Sequence, residues 1–309
     1  IDIHAKYGGV VPDVAARSHV EVATAVVSEA LARATCSWDD IDAIGVTYAP
    51  GLSGSLLIGS ITAKTIALIK HKPLYPIHHV EAHVYANFIT QQTGSDLALP
   101  ASAPQFPLLA LIVSGGHTQL VLFHGHGDFG LLGHTQDDAV GEAFDKVAKI
   151  IGLPYPGGPS IAAAAPHGDA HAYRLPIARL QNPYDFSFSG LKSAVKRYID
   201  ANPPASENDF QKIAFAFEEA VFDVLITKFL DASDQFKAKT IVFAGGVSAN
   251  SQLKNRLKIA CNFLHKKFVA PTKIIYSQDN AAMIGIRAFY EITKNPNFGN
   301  NPENFTKKL

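Results

Sequence analysis

The chain has 309 residues, more than one typical domain, and its hydrophobic residues (47%) are spread along the whole sequence. The 27 basic residues balance the 27 acidic ones, which excludes a global positive field and an acidic disordered chain. The two cysteines, Cys36 and Cys261, fit neither a disulfide framework nor a zinc ribbon, and no apolar run reaches the roughly 18 residues that span a membrane. We therefore expect two lobes, no membrane span and a cytoplasmic location.

The first part of the chain alternates helical and strand patterns. Apolar residues at helical spacing predict the first helix, and a β-branched run that ends in Pro50-Gly51 predicts a strand followed by a turn. The predicted elements are a helix over 13–34, a strand over 41–48, a helix over 56–69 and a helix from about 79 to 89. Residues 91–105 lose all periodicity, so we assign a first lobe to residues 1–106, including this linker.

The second part opens with a continuous apolar strand and short turns, a pattern that predicts an antiparallel meander. The predicted strands cover 108–113, 120–123, 131–132 and 240–244, and the predicted helices cover 140–151, 210–229, 250–264 and 280–292. We assign residues 107–309 to a second lobe with helical insertions, and we expect the closing helix to pack back toward the first lobe. Alternating strands and helices in both parts predict an α/β fold with mixed sheets.

Two histidines stand four residues apart in the segment His78-His79-Val80-Glu81-Ala82-His83. On a helix, His79 and His83 project from one face about 5 to 6 Å apart at Cβ, where two imidazoles can share one metal ion. The alternative is an ordinary pair of partly buried or surface histidines. Imidazole suits both iron and zinc, so the spacing does not choose between them. The zinc-protease motif is excluded because Val80, and not Glu, follows His79.

Two Gly-Gly turns follow apolar strands. In Ser114-Gly115-Gly116-His117 the glycines leave backbone N–H groups available to an anion, although a tight hairpin explains the same residues. The segment Ala244-Gly245-Gly246-Val247-Ser248-Ala249-Asn250 repeats this design and leads into a helix, whose N-terminus favours negative charge. The two turns together predict a nucleotide site.

Three further acidic or glycine-rich positions leave two interpretations open. Asp145 can hold a ribose hydroxyl or an amine, or it can lie on a solvated helix face. The segment Tyr155–Pro159, which contains Gly158, either lets backbone approach a ligand or forms a rigid turn. Asp279 can cap the closing helix, which is the ordinary role of an Asp at that place, or bind a metal.

Eight segments in order resemble those of the tRNA adenosine threonylcarbamoyltransferase family, from about His4 to Ile284. They are Tyr7–Pro12, His78–His83, Val113–Thr118, Gly141–Lys146, Tyr155–Pro159, Phe186–Lys192, Ala244–Asn250 and Asp279-Asn280. The resemblance implies the fold of actin, Hsp70 chaperones and sugar kinases, with two ribonuclease-H-like lobes around a nucleotide cleft.

The resemblance implies that the chain transfers a threonylcarbamoyl group from threonylcarbamoyl-adenylate to N6 of the adenine next to the anticodon, in tRNAs that read codons beginning with A. AMP is the leaving group. The family's metal ligands match His79, His83 and Asp279, which implies one divalent ion, with iron(II) favoured over zinc. Its adenylate-binding positions match Ile112, Val113, Ser114, Gly115, Gly116, Asp145, Gly158 and Asn250.

The resemblance also implies partners: the tRNA anticodon loop, a non-catalytic paralogue and an ATPase subunit. Members of the family begin with a strand and a phosphate-binding hairpin ahead of the Tyr-Gly-Gly segment, whereas six residues precede Tyr7 here. We therefore expect the first strand of the first lobe to be missing and turnover by these 309 residues alone to be weak or absent. The alternatives are a metallopeptidase and a nucleotide-binding scaffold of the same fold without catalysis.

Overall fold

A computed structural model describes residues 11–89, 104–165 and 174–300. The strands are β1 Ile44–Ala49, β2 Leu74–His78, β3 Leu108–Val113, β4 Thr118–Gly125, β5 Asp128–His134, β6 Thr240–Ala244 and β7 Lys267–Val269. The helices are α1 Pro12–Ala34, α2 Ser53–Lys70, α3 His79–Tyr85, α4 Val140–Ile150, α5 Gly157–Ala164, α6 Ser189–Ala201, α7 Glu207–Gln235, α8 Ser251–Phe263, α9 Ile274–Ser277 and α10 Ala281–Lys294.

The chain divides into two compact units, one made of Ile1–Tyr85 with Asn280–Leu309 and one made of Ala86–Asp279. This division differs from the assignment of residues 107–309 to a second lobe, because the closing helix α10 belongs with the first unit. Most of the linker expected at 91–105 lies outside the described residues, as does most of the Tyr7–Pro12 segment.

In the first unit, β1 and β2 pair in parallel, from Ile44 opposite Leu74 to Thr47 opposite Ile77. Helix α10 packs against both strands and against α3. Its approach to β1 depends on Gly45, where a Cβ atom would lie 2.9 Å from the Cβ of Ala288. β2 runs directly into α3, so the His79–His83 segment begins where a strand ends.

The second unit is built on a five-stranded sheet with the order β5-β4-β3-β6-β7. β3, β4 and β5 pair antiparallel, as the predicted meander requires, whereas β6 pairs in parallel with both β3 and β7. Every residue of β3 and β6 is buried. The helices add aromatic side chains to this core, including Phe144 and Phe217, whose ring centroids are 5.2 Å apart.

Several predicted elements differ from the observed ones. The helix expected to reach about residue 89 ends at Tyr85 and continues as a 3₁₀ turn over Ala86–Phe88. The elements that were not predicted are β2, β7, α5, α6 and α9. Within residues 11–89, 104–165 and 174–300, no helix combines the length and the hydropathy that crossing a membrane requires.

Candidate functional site

The His79–His83 pair lies on α3, a helix of seven residues. The side chain of His78 supports the start of this helix, since its Nδ1 accepts a hydrogen bond from the backbone N–H of Glu81 at 3.4 Å. The rings of His79 and His83 face each other with centroids 4.7 Å apart and planes at 72°. His83 is buried and His79 is partly exposed. The helical spacing thus places both imidazoles together, as predicted.

Asp279 directly precedes Asn280, the N-cap of α10, and the chain passes from one compact unit to the other at this peptide bond. The cap itself is Asn280, whose Oδ1 accepts a hydrogen bond from the N–H of Met283 at 2.9 Å. Ligand atoms of His79, His83 and Asp279 all lie within 4.8 Å of one another. Two imidazoles and a carboxylate suit iron(II) or zinc, so this donor set fits a divalent ion.

The first Gly-Gly turn joins β3 to β4. It is closed by the N–H of Ser114, which donates to the carbonyl of His117 at 2.8 Å, and by the N–H of His117, which donates to Ser114 Oγ at 3.1 Å. Gly115 and Gly116 are exposed, and a Cβ at either would meet nothing within 4 Å. This open backbone can approach an anion.

The predicted positions Ile112 and Val113 behave differently from the glycines of the same turn. Both side chains are buried in the core of the second unit. Ile112 and Val113 are the last two residues of β3, so they position the turn. Because their side chains are buried, any contact that they make with a ligand is made by backbone atoms.

The second Gly-Gly turn lies beside the first. β3 and β6 are parallel neighbours, and parallel strands place their carboxyl ends at one edge of the sheet. Gly245 has φ +87°, and a Cβ there would lie 2.4 Å from the carbonyl oxygen of Val113. Only glycine allows this contact, which brings the two turns together. The sheet therefore confirms that they share one location.

Asn250 ends the second turn as the N-cap of α8. Its Oδ1 accepts a hydrogen bond from the N–H of Leu253 at 2.9 Å, and its Nδ2 donates to Glu218 Oε1 at 3.3 Å. Glu218 lies on α7 and is buried, and this burial raises the pKa of its carboxyl group. Glu218 was not predicted from the sequence, because α7 contains several acidic residues and nothing local distinguishes this one.

Asp145 and Gly158 lie at the contact between α4 and α5. Asp145 Oδ1 accepts a hydrogen bond from the N–H of Gly157, the first residue of α5, at 2.7 Å. Burial raises the pKa of Asp145, this hydrogen bond lowers it and the nearby Glu142 raises it, with a net upward shift. Gly158 is open, since a Cβ there would meet nothing within 4 Å. Asp145 is thus held by α5 and does not lie on a freely solvated face.

Basic residues near these turns already have acidic partners. Lys146 and Lys192 both contact Asp138, at 2.6 and 3.1 Å. Burial raises the pKa of Asp138, but the hydrogen bonds from these lysines outweigh it and lower the pKa overall. Arg256 forms two hydrogen bonds with Glu219. The positive charges of these three residues are therefore paired within the unit.

Comparisons with known proteins agree on a family. The model of the tRNA N6-adenosine threonylcarbamoyltransferase family matches residues 1–286. A relative with that name from Symbiobacterium thermophilum is 42% identical over 290 residues, covering 94% of this chain and 82% of the relative. Another from Moorella thermoacetica is 45% identical over 293 residues, with the same coverage.

Solved structures give the fold. HypF in its phosphate- and nucleotide-bound form is 11% identical with a TM-score of 0.62, covering 82% of this chain and 47% of HypF. HypF from T. kodakarensis is 13% identical with a TM-score of 0.56, covering 81% of this chain and 41% of that one. These likenesses confirm the predicted α/β fold, which the chain shares with HypF.

Proposed function

The chain belongs to the tRNA N6-adenosine threonylcarbamoyltransferase family, and from this membership we propose that it forms threonylcarbamoyladenosine in tRNA. The donor is threonylcarbamoyl-adenylate, and the acceptor is N6 of the adenosine next to the anticodon in tRNAs that read codons beginning with A. The observation that carries the proposal is the pair of Gly-Gly turns at the carboxyl ends of β3 and β6, held in contact by Gly245 and Val113.

In the reaction, the N6 amine attacks the carbamoyl carbonyl carbon, the bond from that carbon to the phosphate oxygen of the adenylate breaks, and AMP leaves while N6 loses a proton. The backbone of Gly115 and Gly116 approaches the phosphate, where oriented N–H groups favour the negative charge that AMP carries away. Asp145 accepts a hydrogen bond from a ribose hydroxyl, and Gly157 holds the carboxylate for this contact. Asn250 and Gly158 complete the adenylate site.

We further propose that His79, His83 and Asp279 hold one divalent ion, iron(II) in preference to zinc. Such an ion supplies Lewis acidity for a carbonyl oxygen. Its support is the donor set, with ligand atoms within 4.8 Å of one another. Metal analysis of the purified chain tests this assignment, which predicts one ion per chain and loss of that ion in a His79→Ala, His83→Ala double variant.

The metallopeptidase alternative is disfavoured by the environment of Glu81, the glutamate nearest the two histidines. Its carboxylate pairs with Arg287 at 2.5 Å and is buried, so this glutamate is not placed as a general base for water. The catalytically inert scaffold is disfavoured because it has no use for the three assembled ligands.

The partners proposed are the tRNA anticodon loop, a non-catalytic paralogue and an ATPase subunit, and the location proposed is the cytoplasm. A protein surface for the paralogue is available on α1 and α2, where no residue of α1 is buried. The large apolar side chains exposed there are Val20, Val22, Val26, Leu57, Ile61, Leu68 and Ile69.

A substrate comparison tests the proposed function against its rivals. The metal-loaded chain and its partners are given threonylcarbamoyl-adenylate with unmodified tRNA, and separately a glycoprotein. We expect the threonylcarbamoyl group to appear in tRNAs that read codons beginning with A, and we expect no cleavage of the glycoprotein. Cleavage of the glycoprotein without transfer of the threonylcarbamoyl group to tRNA would contradict the proposal.

A further inference from the structure

A network of buried charges joins α3 to α10 in the first unit. Arg287 Nε donates to Glu81 Oε1 at 2.5 Å, and Arg287 Nη2 donates to Glu291 Oε2 at 2.7 Å. Glu291 Oε1 also accepts a hydrogen bond from Asn295 Nδ2 at 3.0 Å. The guanidinium lies 5.3 Å from the ring centroid of Tyr85, so it is held on its face as well as at its edges.

Glu81 stands two residues from both proposed metal ligands of α3. On a helix, positions two apart point in nearly opposite directions, so Glu81 anchors the side of α3 that faces away from the imidazoles of His79 and His83. A helix of seven residues is not stable by itself, because so few turns do not offset the cost of nucleation. The direction of both imidazoles therefore depends on the contacts made by the side of α3 that carries Glu81.

Arg287 lies on α10, seven residues or about two turns after its N-cap Asn280. Asp279, the third proposed ligand, is joined to Asn280 by a peptide bond. The ion pair between Arg287 and Glu81 thus connects the helix that carries two of the ligands to the helix whose N-cap directly follows the third. The planar guanidinium fixes direction as well as distance, since its N–H groups form a rigid fork.

We propose that Arg287 is a positioning residue for the metal site, acting through Glu81 to set the imidazoles of His79 and His83 against Asp279. Side-chain exposure is 7% for Arg287 and 6% for Glu81. A buried ion pair is weak evidence for stability, because removing two charges from water costs about as much as their attraction returns. Fixed geometry is what such a pair supplies beyond an apolar contact. The inference rests on the proposed function only in the existence of the metal site.

The test measures metal binding and not turnover. Arg287→Lys keeps the charge but loses the fork, and a Glu81→Gln, Arg287→Gln double variant removes both charges of the pair, while Glu291 loses its charged partner and keeps the hydrogen bond from Asn295. Cobalt(II) serves as the probe, because its visible absorption reports ligand geometry. We expect both variants to bind cobalt(II) about 10- to 100-fold more weakly, as for other groups that orient metal ligands, and the absorption spectrum to change.

Arg256→Lys is the matched control, because it disturbs a two-bond Arg–Glu pair of the second unit. It is expected to lower the melting temperature while leaving the cobalt(II) affinity and spectrum as in the wild type. Folded Arg287 variants with wild-type affinity and spectrum would overturn the inference, and so would a wild-type chain that binds no metal. If the wild type binds metal and the variants do not, but no tRNA is modified, the inference stands and the proposed function fails.

Discussion

The contact between α4 and α5 is so close that replacing Gly157 with alanine should damage both the fold and the adenylate site. A Cβ at Gly157 would lie 2.5 Å from the Cα of Asp145, 2.5 Å from the carbonyl oxygen of Phe144 and 2.8 Å from the Cβ of Ala148. Two of these three neighbours are backbone atoms of a buried helix, so the clash is relieved only if α5 moves away from α4.

The size of the effect follows from these distances. Ordinary contact begins at 3.4 Å, so α5 must move by about 0.9 Å. The hydrogen bond from Gly157 to Asp145, now 2.7 Å, would then lengthen to about 3.6 Å and be lost. Overpacking costs about 1–3 kcal/mol, and a lost hydrogen bond to a charged group adds about 1.5–3 kcal/mol. We expect Gly157→Ala to lower the free energy of unfolding by roughly 3–5 kcal/mol.

Urea denaturation measures the loss of stability, and equilibrium binding of a non-hydrolysable adenylate analogue measures the loss of the Asp145 contact. Gly190→Ala in the first turn of α6 is the control, since a Cβ there would meet nothing within 4 Å. It should unfold at the wild-type urea concentration or a slightly higher one. A Gly157→Ala chain as stable as the Gly190→Ala chain, with unchanged analogue binding, would refute the reasoning.

Three further predictions follow from the same site. Gly245→Ala combines a left-handed φ with a Cβ placed 2.4 Å from the carbonyl oxygen of Val113, so it should lower the free energy of unfolding by at least about 1–3 kcal/mol. Gly246→Ala is the control and should not lower it, because a Cβ at Gly246 would meet nothing within 4 Å. Urea denaturation measures both values. Burial raises the pKa of Glu218 above its value in the unfolded chain, so the stability of the wild type falls as the pH rises from the unfolded pKa through the folded pKa. Glu218→Gln does not titrate, so it should gain stability relative to the wild type between acidic and neutral pH. Melting curves that shift with pH in parallel for the two proteins would contradict this. A chelator should lower the melting temperature of the metal-loaded chain and have no effect on the His79→Ala, His83→Ala variant.

The sequence predicted those elements whose local pattern is strong. β3 has the predicted bounds because it is a continuous apolar run that is buried on both faces, and β6 does for the same reason. β2 was not predicted because Pro76 lies in the middle of its five residues, and a proline argues against a strand. α5 was not predicted because Tyr155–Pro159 is rich in residues that form turns. The helix nevertheless begins inside that segment, at Gly157.

The site was partly predictable for similar reasons. The spacing of His79 and His83 is a local signal, and α3 places their rings together. Asp279 lies far along the chain, so only the family resemblance connected it with the histidines. Glu218 and Arg287 carry no local signal, because their roles depend on helix packing between distant segments, namely α7 against the Asn250 cap and α10 against α3.

Mass spectrometry of tRNA nucleosides detects the proposed product itself. The metal-loaded chain, the paralogue and the ATPase subunit are mixed with threonylcarbamoyl-adenylate and unmodified tRNA, and the tRNA is digested to nucleosides, so that even slow turnover is registered. The account predicts threonylcarbamoyladenosine in tRNAs that read codons beginning with A, and much less of it when His79 and His83 are replaced with alanine. Absence of the modified nucleoside with the folded, metal-loaded chain, or equal amounts with the double variant, would contradict it.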